Sequence, residues 1–412
     1  MTLRSTFLRA WTAALVTVLA ATVAMSATAA AAAGREKPEA TAIFVKPIHE
    51  AQVVRGDDGK DHVEYDLLVD SVVGDLVTLT SVTVLDPAGK ELGRVDGNTL
   101  AAATQNLYTH APVPAIPSSG VVAVEVDLAL APGTVPARIT NRIAYTLAPG
   151  ANSAVTIGAA EVDATQGDSQ QSAPISAPEV DGPEVAVNRR PAIVIKQPPL
   201  AGDGWLVTTA CCGPNPHRDL RLAVDGLRIE TPETFAVDWG RVRGNKTAEG
   251  DGSTNEQSYA YGANVLAVAD GTVVFTQDGE PDQTPGQVRL ATKQSAIGGN
   301  KVILKIAPKV FAAYEHLQPG SVTVKVGDKV KAGAVVAKLG NTGPSDGAHL
   351  HFELLDRPNV FTGRALPFVF DRYTLAGTVD VANATGDELV IAPESRQVRS
   401  AYPLWGGIQN FP

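Results

Sequence analysis

From residue 42 to 149 apolar and polar positions alternate in short runs. Val63-Glu64-Tyr65-Asp66-Leu67-Leu68-Val69, the stretch 76–85 and Val121-Val122-Ala123-Val124-Glu125-Val126-Asp127-Leu128 are the clearest. A period near two is the period of a strand, whose successive side chains point to opposite faces. Asp86-Pro87-Ala88-Gly89 and Pro117-Ser118-Ser119-Gly120 stand between such runs and supply turn residues. Roughly six or seven strands here predict a β-sandwich of immunoglobulin-like layering over 40–150. Residues 151–190 lose the alternation. Gln166-Gly167-Asp168-Ser169-Gln170-Gln171-Ser172 is polar and Pro174, Pro178 and Pro183 punctuate the stretch, as in a linker. Strand patterning returns over 191–375, for example at Val265-Leu266-Ala267-Val268 and Gly271-Thr272-Val273-Val274-Phe275. Residues 376–412 form an extension ending near Tyr402-Pro403-Leu404-Trp405, with the character of a segment folding back on a domain. The fold class expected is all-β in two domains.

The start of the chain has a different pattern. Arg4 and Arg9 precede an uncharged apolar stretch, 10–25, and Ala27-Thr28-Ala29 opens a run of small residues to Ala33. A positive head, a short apolar body and a small-residue cleavage site predict a secretory signal peptide over 1–33. The apolar stretch is short of the roughly 20 residues a spanning helix needs. The expectation is an exported, secreted protein with no stable membrane insertion after cleavage.

Composition narrows the classes further. At 412 residues the chain exceeds one ordinary domain, and 44% hydrophobic against 19% charged residues is globular. A formal net charge of −10 argues against a general nucleic-acid binder, which needs a phosphate-neutralising surface. The 38 glycines and 28 prolines favour turn-rich β structure over long helices. The only two cysteines, Cys211 and Cys212, are adjacent, which excludes a disulfide-dense scaffold and a four-cysteine zinc site. A vicinal disulfide, two buried thiols or a bond to another chain all remain open for them. Nothing in the sequence sets an oligomeric state.

The chemistry concentrates in the second domain, which holds His217, His316, His349 and His351. In His349-Leu350-His351-Phe352-Glu353, residues two apart share a strand face, so the two imidazoles project side by side. One can bind a metal while the other reaches a metal-bound water as a base. Phe235-Ala236-Val237-Asp238-Trp239 and Tyr314-Glu315-His316-Leu317 are further carriers. The scattered His49, His62 and His110 show no ligand spacing, and the acidic loop Asp57-Asp58-Gly59-Lys60-Asp61 lacks the closing glutamate of a calcium loop.

With the block 261–274, Gly298-Gly299-Asn300-Lys301, the segment 324–333 and Gly340-Asn341-Thr342-Gly343, these segments resemble in content and order the LytM/lysostaphin-type zinc peptidases, the M23 family. The resemblance covers roughly residues 205–356. It implies a small antiparallel β structure with a groove, a Zn2+ ion, and a peptidoglycan peptide as substrate. It makes Asp238 and His351 zinc ligands, and His316 and His349 the non-ligand histidines that activate the attacking water and stabilise the oxyanion. A zinc site needs nitrogen or oxygen ligands with one open position for catalysis. The family's first ligand is a histidine four residues before the aspartate, where this chain has Thr234. A long-spaced variant carries a His-Arg pair instead, and His217-Arg218 is similar to it. Asp225-Gly226 signals a two-residue hairpin turn, which in regular register sets His217 across from Thr234. His217 is therefore the expected third ligand. Glu353 is expected to make a salt bridge or to support the ligands from behind them and not to act in catalysis, and Tyr314 to lie in the core or the groove wall. The resemblance also admits a catalytically inactive LytM-like domain that activates or scaffolds other wall hydrolases.

Overall fold

The computed structural model describes residues 41–412 apart from 108, 110, 150–177, 292, 294–295 and 381–387. The signal segment 1–33 and most of the expected linker lie outside the described residues. Contacts join residues 40–412 into one unit, and two β-rich halves with separate cores can be followed within it.

The first half contains β1 (Ile43–Pro47), β2 (Ala51–Arg55), β3 (Asp61–Ser71), β4 (Leu76–Leu85), β5 (Glu91–Asp96), a helical turn Gly97–Ala103, β6 (Thr104–Asn106), β7 (Val121–Leu130) and β8 (Arg138–Ala148). Two short strands, β9 (Glu179–Asp181) and β10 (Val185–Asn188), fall within the stretch whose composition resembles a linker. The path β5-β4-β8-β10-β2-β3-β7-β6 is continuous, with β1 on β3 and β9 on β8. β10 runs antiparallel to β8 and parallel to β2, so it ties two layers together. The alternation of the sequence supplies the core: Val63, Tyr65, Leu67 and Val69 of β3 and Val122, Val124 and Val126 of β7 join Val77, Val82, Val84 and Ile143 in one cluster. The opposite faces of β3 and β7 carry acids in cross-strand register, Glu64 with Asp127 and Asp66 with Glu125. These faces are not solvated, and Glu64 and Asp66 are 0% and 1% exposed.

The second half contains β11 (Ile193–Ile195), β12 (Gly202–Thr209), a one-turn helix Pro216–Asp219, β13 (Leu222–Val224), β14 (Arg228–Glu230), β15 (Val237–Arg241), β16 (Asn264–Leu266), β17 (Gly271–Gln277), β18 (Asn300–Ala307), β19 (Val310–Leu317), β20 (Lys329–Val330), β21 (Val335–Lys338), β22 (Leu350–Leu355), β23 (Phe368–Val379), β24 (Ile391–Ala401) and β25 (Gly407–Phe411). Its main sheet has the order β11-β23-β25-β12-β15-β22-β19-β18-β17-β20, with β24 on β23. Apart from the parallel β11–β23 pair its pairings are antiparallel. Trp205, Trp239, Tyr314, Phe352, Phe368, Phe370 and Phe411 fill its core. The C-terminal residues fold back here: β25 pairs with β12, and Trp239 Nε1 donates to Gln409 Oε1 at 2.9 Å. Tyr314 belongs to the core, its hydroxyl accepting from Val268 N at 2.9 Å.

The halves meet at the turn after β2. Tyr402 N donates to Arg55 O, Asp57 N donates to Tyr402 O, and Tyr373 Oη donates to Asp57 Oδ2 at 2.9 Å. Val54 of β2 packs into the second core. Cys211 and Cys212 form a vicinal disulfide across a cis peptide bond.

Candidate metal centre

Three adjacent strands build the site. β15 pairs with β22 and β22 with β19, so Asp238, His351 and Glu315 stand in one row across the sheet. A shared row means a shared face. His349, two residues before His351, reaches the same face. His316 arrives differently. The β18–β19 ladder shifts register between Val302–Tyr314 and Asn300–Leu317, and His316 has φ 59°. A bulge of this kind re-aims a side chain, and both Glu315 and His316 line the groove. The groove holds about 410 Å³ and is lined by His217, His316, His349 and His351 together with Asp238 and Glu233.

His217 reaches the groove by a route the regular hairpin does not give. Asp225 and Gly226 both have positive φ, as expected, but Leu227 is an extra residue in the loop, and the ladder pairs Val224 with Arg228. That is a one-residue slip, and the ladder ends at Leu222–Glu230. The segment before it is the one-turn helix, whose N-cap Asn215 accepts from His217 N at 3.1 Å. From there His217 Nε2 lies 3.0 Å from Asp238 Oδ2. Thr234 turns away, its hydroxyl engaged with Thr231 O and Oγ1 at 2.8 Å each.

Backbone carbonyls orient the imidazoles. A carbonyl only accepts, so the ring nitrogen facing it carries the proton. His217 Nδ1 faces Ala236 O at 3.2 Å, His349 Nδ1 faces Gly347 O at 2.8 Å and His316 Nδ1 faces Thr342 O at 2.7 Å. In each ring the Nε2 lone pair is thereby left for other work. Burial pushes His316 well below the ordinary histidine range, with the neighbouring His349 and His351 adding to the shift, so this ring is neutral. Burial would raise the Asp238 carboxyl, but His217 and His349 outweigh it and hold it well below its usual value. Glu353, on the face of His351, is 1% exposed with neither carboxylate oxygen hydrogen-bonded, and burial holds it well above the usual range.

His217, Asp238 and His351 each offer a ligand atom, and these atoms all lie within 4.8 Å of one another. Buried His351 Nε2 and Asp238 Oδ1 have no hydrogen-bond partner, although Oδ1 makes an ion contact with His351 Nδ1 at 3.0 Å. Two imidazoles and a carboxylate are a donor set that suits zinc, with a position to spare. His62, Glu64, Asp127 and Cys212 also approach one another. There the sulfur is tied in the disulfide and Glu64 pairs with Arg218, which makes that group a counter-charge rather than a donor set. Glu233 and Glu315 are groove residues without a clear signal in the sequence, although Glu315 stands beside His316 and Glu233 beside Thr234.

Fold and site together define a β-groove protein with a candidate two-histidine, one-carboxylate centre. Residues 256–362 match the model of peptidase family M23. The match contains His316, His349 and His351, while His217 and Asp238 precede it. Peptidoglycan DD-endopeptidase ShyA of Vibrio cholerae is 34% identical over 93 residues, 22% of this chain and 21% of the relative, so the chain spans about a fifth of that protein's length. Among solved structures, the catalytic domain of lysostaphin from Staphylococcus simulans is 23% identical with a TM-score of 0.19, covering 30% of this chain and 86% of that one. The catalytic domain of the M23 protein EnpA from Enterococcus faecalis is 22% identical with a TM-score of 0.23, covering 41% and 92%. Among the described residues no helix is long and apolar enough to cross a membrane.

Proposed function

We propose that this chain is an exported zinc metalloendopeptidase that hydrolyses peptide bonds of cell-wall peptidoglycan. The carrying observation is the convergence of His217 Nε2, Asp238 and His351 Nδ1 at one point of a groove that also holds His316 and His349. In this reading His217, Asp238 and His351 hold the ion. Zinc, when bound, acts as a Lewis acid and acidifies a water to a pKa near 7. His349 and His316 face the reacting centre with proton-accepting Nε2 atoms, because their Nδ1 protons are committed to Gly347 and Thr342. One accepts the proton of the attacking water and returns it to the leaving amine; a ring so protonated also faces the oxyanion. The M23 match and the ShyA relative support the substrate class. Residues 1–33 serve as the export signal, 40–150 as an accessory β domain and 191–375 as the peptidase domain.

Metal analysis of the purified chain tests this. About one zinc per chain is expected, and His351→Ala should lose both zinc and wall lysis. Full lysis by a zinc-free His351→Ala variant overturns the reading. A metal-free wild-type chain that nevertheless stimulates another wall hydrolase establishes the scaffold alternative instead.

A further inference from the structure

His217 sits on an irregular segment, 210–221, that has no strand partner. Besides the contacts of His217 itself with Asn215 and Ala236, two arginines anchor this segment, one and four residues further on. Arg218, 1% exposed, places Nη1 2.5 Å from Glu64 Oε2 and Nη2 2.6 Å from Asp66 Oδ1, and Nη2 also donates to Tyr65 O at 2.9 Å. Arg221 places Nη2 2.5 Å from Glu125 Oε1 and donates from Nη1 to Gln105 Oε1 at 2.9 Å. Every one of these partners belongs to the first β half.

The receiving surface is built for cations. Glu64 faces Asp127 and Asp66 faces Glu125 across β3 and β7. Like charges directly opposite are destabilising, and buried carboxylates are costlier still unless paired. Burial would raise Asp66, but Arg218 outweighs it and holds the carboxyl below its usual range. Burial pushes Glu125 up to about 7 despite the arginines. Asp127 faces His62 and Asp66 also faces His49, while Glu64, Asp66 and Glu125 meet Arg218 and Arg221.

We propose that the first β half is a positioning platform for the metal site: its Glu64, Asp66 and Glu125 cradle Arg218 and Arg221 and thereby hold His217 Nε2 at Asp238. Arg218 and Arg221 are positioning residues, and the accessory half sets part of the metal affinity of the other. This rests on the zinc-site reading above.

The test measures metal affinity of the full chain by competition with a chromophoric chelator, and the visible spectrum of the Co2+-loaded form. Measured above about pH 8, where Glu125 is ionised, the double variant Arg221→Met/Glu125→Gln keeps the net charge, so a purely long-range field effect leaves affinity unchanged. Positioning lowers it by roughly tenfold or more, the usual effect of losing an outer support of a metal ligand, and alters the Co2+ spectrum. Arg218→Lys also keeps the charge while losing the two-pronged contact, and carries the test alone should the double variant not fold. Val84→Ala, in the core of the first half, is the control: it lowers stability and leaves affinity as in the wild type. Wild-type affinity and spectrum in the folded Arg221→Met/Glu125→Gln and Arg218→Lys variants overturn the proposal and leave the zinc site standing. A wild-type chain that binds no metal overturns the zinc reading, and this inference with it.

Discussion

At the residue scale, three imidazoles are set by one device, a backbone carbonyl that claims Nδ1. The device frees Nε2 in each ring, which the proposed reading uses as a ligand atom in His217 and as a proton acceptor in His316 and His349. His316→Gln should keep the metal and lose roughly 10²–10⁴-fold in wall hydrolysis, the usual worth of a positioned acid–base group; zinc content measured beside turnover checks both halves of that statement. His217 and Thr234 divide in the same way. His217→Ala should lose the metal. Thr234→Ala should keep it and cost about 1 kcal/mol for each of its two hydrogen bonds to Thr231, read from urea unfolding. Metal loss in Thr234→Ala alone reverses the ligand assignment.

At the element scale, the groove depends on an irregularity in β19 and on the turn that faces it. The bulge presents Glu315 and His316 together, and Gly298 makes room for the Glu315 carboxylate. Gly298 has φ +78°, and a Cβ there would fall inside that carboxylate. A left-handed backbone costs an ordinary residue about 1–2 kcal/mol, and displacing Glu315 adds to it. Gly298→Ala should therefore destabilise by more than about 2 kcal/mol. Gly347→Ala, at a glycine with open space and no positive φ, should be nearly silent. Thermal unfolding of the two variants side by side decides; equal effects contradict the packing argument.

At the scale of the whole molecule, the halves share buried polar groups as well as surface. Asp57, in the turn after β2, is buried against Tyr373 of the second half, and burial raises its pKa to about 6 from 3.8. The folded state therefore binds a proton that the unfolded state releases between about pH 4 and pH 6. Stability from this group is full below that window and is lost as pH rises through it, by up to about 3 kcal/mol. Asp57→Asn should flatten the wild-type slope over pH 4–6 in urea unfolding; an unchanged slope removes Asp57 from the account. The Arg218 and Arg221 contacts and the Tyr402 bonds to β2 join the same halves. The full chain should unfold in one calorimetric transition with matching calorimetric and van't Hoff enthalpies. Two resolved transitions contradict that coupling.

The sequence by itself determined the alternating strands and supplied the candidate donors. Alternation at 63–69 and 121–128 is a local property, because a strand's two faces are fixed by residue parity. The His349-x-His351 pair shares a face for the same reason. The identity of Asp238 and His351 as neighbours across β15 and β22 came from family resemblance, since no local pattern pairs distant strands. Tertiary structure decided the rest. A single extra loop residue, Leu227, slipped the hairpin register, so His217 comes to the groove on a capped helical turn and not on the regular ladder. In the sequence the acids of β3 and β7 are only the polar positions of alternating strands, because charge pattern alone cannot tell water from a docked arginine. Burial, which depends on the whole chain, turned that face into a dock for Arg218 and Arg221, the proposed support of the metal site.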